Sequence, residues 1–112
     1  MQNSHHLLAP IHPGKILFED FMEPLGIKAS QLANCLGVPP GRISQIIKGQ
    51  RSLTADTALR LERYFGVDSQ TWLNLQTHYE LEVARDVVGQ KISKRVVPRP
   101  SIRAENSQHF HS

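Results

Sequence analysis

Arg42, Ser44, Gln45 and Lys48 alternate with Ile43, Ile46 and Ile47 at the spacing of an amphipathic helix. A helix here buries the isoleucines and turns a guanidinium, a hydroxyl, a carboxamide and an ammonium outward. Donors, acceptors and positive charge on one short helix suit base edges and phosphates. They do not suit catalysis, because no base stands ready to activate the hydroxyl. The other reactive side chains point nowhere else. Six histidines, His5, His6, His12, His78, His109 and His111, sit mostly in the terminal segments without the ligand spacing of a zinc site. Cys35 is the single cysteine, so an intrachain disulfide is excluded; it lies beside the apolar stripe of its helix and is expected to be partly buried. There is no glycine-rich phosphate loop and no pair of carboxylates with a cleft to hold them. The expectation is a binding protein, with no enzymatic activity, cofactor or metal.

The elements that must position the polar set lie within residues 29–49, ASQLANCLGVPPGRISQIIKG. Leu32, Ala33 and Leu36 give a first helix one apolar face. Gly37 ends it, since glycine takes positive φ at little cost. Val38 follows as an apolar plug, and Pro39-Pro40 starts the next helix, proline being tolerated in a first turn. Ala33, Gly37, Ile43 and Ile46 then supply the small residue, the turn and the two anchors of a bihelical unit. This is the pattern of a helix-turn-helix, and it implies DNA binding; a purely structural helical hairpin is the alternative.

At 112 residues the chain is one domain, large enough to bury a core without staples. No segment approaches a membrane span, and the N-terminus lacks a secretory layout, so a cytoplasmic protein with no membrane contact is expected. The net charge of +3 is unevenly spread. Up to Gly89 there are 8 Lys/Arg against 9 Asp/Glu, whereas residues 90–112 hold Lys91, Lys94, Arg95, Arg99 and Arg103 against Glu105. Arg42, Lys48, Arg51, Arg60 and Arg63 outnumber Asp56 and Glu62 across 42–63, which predicts a basic face around the second helix of the hairpin. For Arg60 and Arg63 an ordinary solvated surface explains the charge as well.

The remaining pattern is helical. Pro13-Gly14 opens a helix through about Met22 with Ile16, Leu17, Phe18 and Phe21 as its apolar face, and Glu23-Pro24-Leu25-Gly26 ends it. Thr54 caps a helix to about Phe65 with Ala58, Leu61 and Phe65 inward, and Gly66 closes it. Asp68 or Ser69 caps a fifth helix, in which Trp72, Leu75, Gln76, Tyr79 and Val83 recur up to Val88-Gly89. The prediction is an all-α, five-helix domain over 13–89, a flexible segment 1–12, and a flexible basic tail 90–112. In that tail Ile92, Val96, Val97 and Ile102 suffice to dock on a partner but not to build a core.

HPGKIL, EPLGI and SLTADTALRLERYFGVDSQTWLNLQTHYELEVA, together with the hairpin in second and third place, resemble the lambda-repressor-like domain and, more narrowly, the HigA antitoxins, also described as virulence-associated protein I-like. The resemblance runs from about Ile11 to Asp86. It implies a homodimeric antitoxin of a type II toxin–antitoxin module, which sequesters a small ribosome-dependent mRNA endonuclease and represses its own operon. The chain departs from the family pattern in two ways. Lys28 and Pro39 stand where Ser or Thr usually caps a helix, and Pro40-Gly41 stands where a polar residue usually opens the recognition helix.

On this reading base contacts fall to Arg42, Ser44 and Gln45, with Gln45 matched to adenine and Arg42 to guanine or a phosphate. Ser30, Gln31, Gly41, Lys48 and Arg51 would hold the DNA backbone. Two such helices in a dimer would lie about 34 Å apart on a near-palindromic operator. Trp72, Leu73 and Tyr79 are candidates for the dimer face, although plain core packing is the preferred reading of Trp72. Glu19, Asp20 and Glu23 could meet a basic toxin through opposite charge. The rivals are a stand-alone repressor without a toxin and a toxin-binding module that has lost its operator.

Overall fold

Helix α1 begins where His12 and Pro13 solve the first-turn problem together. The His12 ring Nδ1 accepts the Gly14 N–H at 2.9 Å, and Pro13, at the first helical position, has no N–H to satisfy. The computed structural model describes residues 9–100. Residues 1–8 and 101–112, with His5, His6, Ile102, Arg103, Glu105, His109 and His111, lie outside the described residues. So do the corresponding parts of the expected flexible segment and tail.

Five helices and no strand are found among the described residues. Helix α1 is one continuous run of Pro13–Ile16, a π-helical Leu17–Met22 and Glu23–Leu25. The hairpin is α2, Ala29–Leu36, and α3, Pro40–Ile47; α4 spans Ala55–Phe65 and α5 spans Ser69–Arg95. The architecture matches the expected all-α fold. The core joins all five: Leu17 and Met22, Leu32, Ala33 and Leu36, Ile43 and Ile46, Leu53, Ala58 and Leu61, and Trp72. Phe21 sits between Phe65 and Trp72, with ring centroids at 5.1 and 5.3 Å.

Helix α1 departs from the sequence reading in two ways. It continues past Met22 to Leu25, with Pro24 inside it, and Gly26 closes it at φ 66°. In the wider π turn the Glu23 N–H reaches the Phe18 carbonyl. Proline cannot donate to the preceding turn and crowds its carbonyl, and a wider turn upstream relieves both faults. The same widening brings Leu17 and Met22, five residues apart, onto one buried face. Phe18, expected inside, is left 39% exposed.

The hairpin follows its sequence closely. Leu32, Ala33, Leu36, Ile43 and Ile46 are buried, Val38 and Ile47 are half-buried, and Gly37 takes φ 73°. Helix α1 crosses close over α3 at Gly14. A Cβ there would overlap the Ile46 carbonyl, so only glycine lets the two backbones approach. Cys35 is exposed, against expectation, because Leu32, Ala33 and Leu36 fill the inward face of α2. It shares a groove with Tyr64, and the neighbouring thiol raises the tyrosine's pKa above its ordinary value.

Thr54 caps α4 by accepting the Thr57 N–H, and Gly66 ends it at φ 84°. Helix α5 does not stop at Gly89 but runs to Arg95, so 90–95 are helix rather than tail. Gly89 is absent from the glycines with positive φ, and a helical glycine costs only about 1 kcal/mol. Its neighbours Arg85, Gln90 and Lys91 favour helix, and Lys94 and Arg95 complement the dipole in the last turn. The distal half of α5 leaves the bundle with an apolar stripe of Leu81, Val88, Ile92 and Val96 beside Ala84 and Gly89. The indole Nε1 of Trp72 is buried without a hydrogen-bond partner.

Candidate nucleic-acid interface

The outward face of α3 is centred on Gly41, Gln45 and Lys48, all exposed, with Ser44 and Arg42 half-buried on its two flanks. Four of the expected contact residues thus lie on α3, and Lys48 stands at its C-cap. Arg51 joins them from the following loop. Gly49, at φ 73°, reverses the chain so that the Gln50 N–H reaches the Gln45 carbonyl at 2.9 Å. This folds Arg51 back over α3, where its Nε–H donates to Gln45 Oε1 at 2.8 Å. Among the described residues Arg42, Lys48 and Arg51 have no carboxylate partner, so their charge is available to an anion.

The expected basic face is smaller than the charge count implied. Arg60 is committed elsewhere: its Nη1 donates to the Leu36 carbonyl at 2.8 Å and the Gly37 carbonyl at 3.3 Å, and its Nε to Asp56 at 2.7 Å. It closes the C-terminal end of α2, where orphan carbonyls and the dipole favour a cation. Arg63 lies with Cys35, Leu59 and Tyr64 along a shallow groove between α2 and α4. At the start of α2 Ser30 and Gln31 are exposed, but the Gln31 side chain is already used. Its Oε1 accepts the Lys28 N–H at 2.8 Å, the half of a capping box that does not depend on a Ser or Thr cap.

Two residues that the sequence did not single out as site residues hold the 49–53 loop in place. Gln76 is buried in α5; its Oε1 accepts the Leu53 N–H at 2.8 Å and its Nε2 donates to Glu80 at 2.9 Å. His12 packs edge-on against Tyr79 at 4.9 Å. Burial lowers its pKa from the ordinary value, partly opposed by a hydrogen bond with the Arg51 backbone and by the Glu80 charge. Arg51 therefore sits on a loop tied to both α1 and α5. The signals were present in the sequence: a histidine directly before Pro-Gly is a cap, and a glutamine one turn after Trp72 falls on the buried stripe.

Of the candidate dimer residues, Trp72 is 1% exposed and packed in the core, which removes it from any surface. Leu73 and Tyr79 are half-buried. Among the described residues no group of His, Cys, Asp or Glu is placed to hold a metal, and no helix is long and apolar enough to cross a membrane.

A helix-turn-helix family model matches residues 19–72, which contain α2, α3 and α4 whole. The chain is 57% identical over 74 residues to virulence-associated protein I of Dichelobacter nodosus, covering 66% of this chain and 68% of the relative. An addiction module antidote protein of the HigA family from Coxiella burnetii superposes with a TM-score of 0.77 at 46% identity, over 82% of this chain and 100% of that one. The antitoxin HigA of Pseudomonas aeruginosa, solved with the higBA promoter, gives 0.77 at 39% identity over 80% and 97%. The chain belongs to the HigA family of helix-turn-helix antitoxins, together with virulence-associated protein I.

Proposed function

We propose that this chain is an autorepressing antitoxin that acts by binding alone: as a homodimer it reads an operator in front of its own gene and neutralises a small mRNA-cleaving toxin. The observation that carries the DNA half is the outward face of α3, where Gln45 and Lys48 stand exposed with Arg51 folded beside them and, among the described residues, no carboxylate paired with either cation. Helix α3 enters the major groove, Gln45 and Arg42 meet base edges, and Lys48 and the Gly41 backbone meet phosphates. Pro40 and Gly41 offer no hydrogen-bonding side chain to the bases, so fewer groups read sequence. The open space around Gly41 lets the backbone come close to DNA instead.

Dimerisation is assigned to the distal half of α5 in place of Trp72. An apolar stripe on a helix that has left its own bundle needs a cover. Antiparallel pairing with a second copy would also set Asp86 against Lys94 and Arg95. Toxin binding is supported by the family, and the exposed carboxylates of Asp20 and Glu23 on α1 offer charge opposite to a basic toxin. The test is in cells: co-expression with the neighbouring small reading frame should restore growth, and a reporter behind the upstream DNA should fall silent. Growth rescue with an unrepressed reporter would refute the operator half, and repression without rescue the toxin half.

A further inference from the structure

The bond between Arg51 Nε and Gln45 Oε1 decides more than the place of one arginine. A guanidinium has donors only, so the Gln45 atom it touches is the oxygen, and the amide nitrogen with both its hydrogens turns the other way. Gln45 is exposed on the outward face of α3, so those two donors are what the helix presents to a duplex. Arg51 is well placed to enforce this. The His12 ring at the start of α1 lies beside Gly49, and two residues past Arg51 the Leu53 N–H is held by Gln76. The loop that carries the guanidinium is thus anchored to α1 and α5.

Guanine presents two acceptors in the major groove, N7 and O6, whereas adenine presents one acceptor and one donor. A glutamine that turns freely pairs best with adenine, because its oxygen takes the adenine amine and its nitrogen the ring N7. A glutamine whose oxygen is held by an arginine has donors to offer, and guanine answers both. We propose that Arg51 is a specificity-determining residue: by holding the Gln45 oxygen it sets the α3 read-out to guanine over adenine at the base pair Gln45 faces. The proposal rests on the reading of α3 as the DNA-reading helix.

The experiment is selection from a randomised duplex pool with the full chain. Gln45→Ala identifies the base pair, as the position whose preference flattens. The wild type should favour guanine over adenine there by about fivefold or more. Arg51→Met should bring that ratio to about one or reverse it, with at most the loss of one phosphate contact in the salt dependence. Arg51→Lys keeps the charge but not the Nε–H, and should lose the preference while keeping the wild-type salt slope. Arg51 is exposed, and a thermal melt checks that each variant folds. A guanine preference that survives Arg51→Met, with affinity lowered on all sequences alike, would reduce Arg51 to a phosphate contact and overturn the proposal. So would adenine at the Gln45 position in the wild-type selection, or no flattened position in Gln45→Ala. A wild-type pool with no enrichment at all would instead defeat the DNA-reading assignment, and this proposal with it.

Discussion

Replacing Gln76 by leucine isolates the bond that ties the 49–53 loop to α5. Gln76 is 6% exposed and its Oε1 is the acceptor for the buried Leu53 N–H at 2.8 Å. Leucine fills nearly the same volume, so no cavity opens, but the Leu53 N–H is stranded without water or carbonyl. Leaving a buried donor unsatisfied costs about 1–3 kcal/mol. The second bond, to Glu80, adds little, because Glu80 is exposed and can turn to water. A loss of about 2 kcal/mol should lower the melting temperature by about 8–16 °C in a domain of this size. The assay is thermal and urea unfolding of the full chain at one fixed protein concentration, since a dimer's melting point moves with concentration. Gln76→Glu separates acceptor from charge: it keeps an oxygen for Leu53 but sets a carboxylate beside Glu80, so its defect should shrink as the pH falls. If Gln76→Leu melts within about 2 °C of wild type, the loop is not held this way. The anchoring of Arg51 would then lose half its support.

Other consequences follow from single contacts. Gly14→Ala forces a Cβ into the Ile46 carbonyl and should cost about 1–3 kcal/mol, whereas Gly41→Ala, with nothing within 4 Å, should stabilise by about 0.4–1 kcal/mol in the same urea titrations. His12 has a folded-state pKa below its ordinary value, so the unfolded chain takes up protons more readily and stability should fall as the pH drops through about 6.5. His12→Asn can still cap Gly14 but does not titrate, so melts from pH 8 to pH 5.5 should lose that component of the pH dependence. Lys48→Ala should weaken binding to operator and scrambled DNA alike, and make the salt slope shallower by about one.

The bihelical unit was legible because every level of its sequence agreed: apolar spacing, glycine at the turn, proline at the start of α3. Helix α1 was read in the wrong phase, since a 3.6-residue period placed Phe18 inward and Pro24 at a stop, while the π turn ahead of Pro24 rotates Phe18 out. Gly89 was mistaken for a helix end because glycine marks a stop only where it takes positive φ, and that conformation is a tertiary fact. The site was legible as a list of residues on α3. The pairing of Arg51 with Gln45 was not, because it depends on the reversal at Gly49 and on anchors from helices far along the chain. Arg60 reads as surface charge in the sequence, because its bonds to the Leu36 and Gly37 carbonyls exist only where α2 and α4 pack together.

The most direct measurement of the central claim is a fluorescence-anisotropy titration of the full chain on DNA from upstream of its own gene, against a scrambled duplex of the same composition at physiological salt. A repressor that reads sequence through α3 should bind its own DNA at least about 1,000-fold more tightly than the scrambled duplex. Gln45→Ala should forfeit about 1–3 kcal/mol of that difference, with little change on scrambled DNA. Equal affinity of the wild type for both duplexes, or an undiminished preference in Gln45→Ala, would contradict the account.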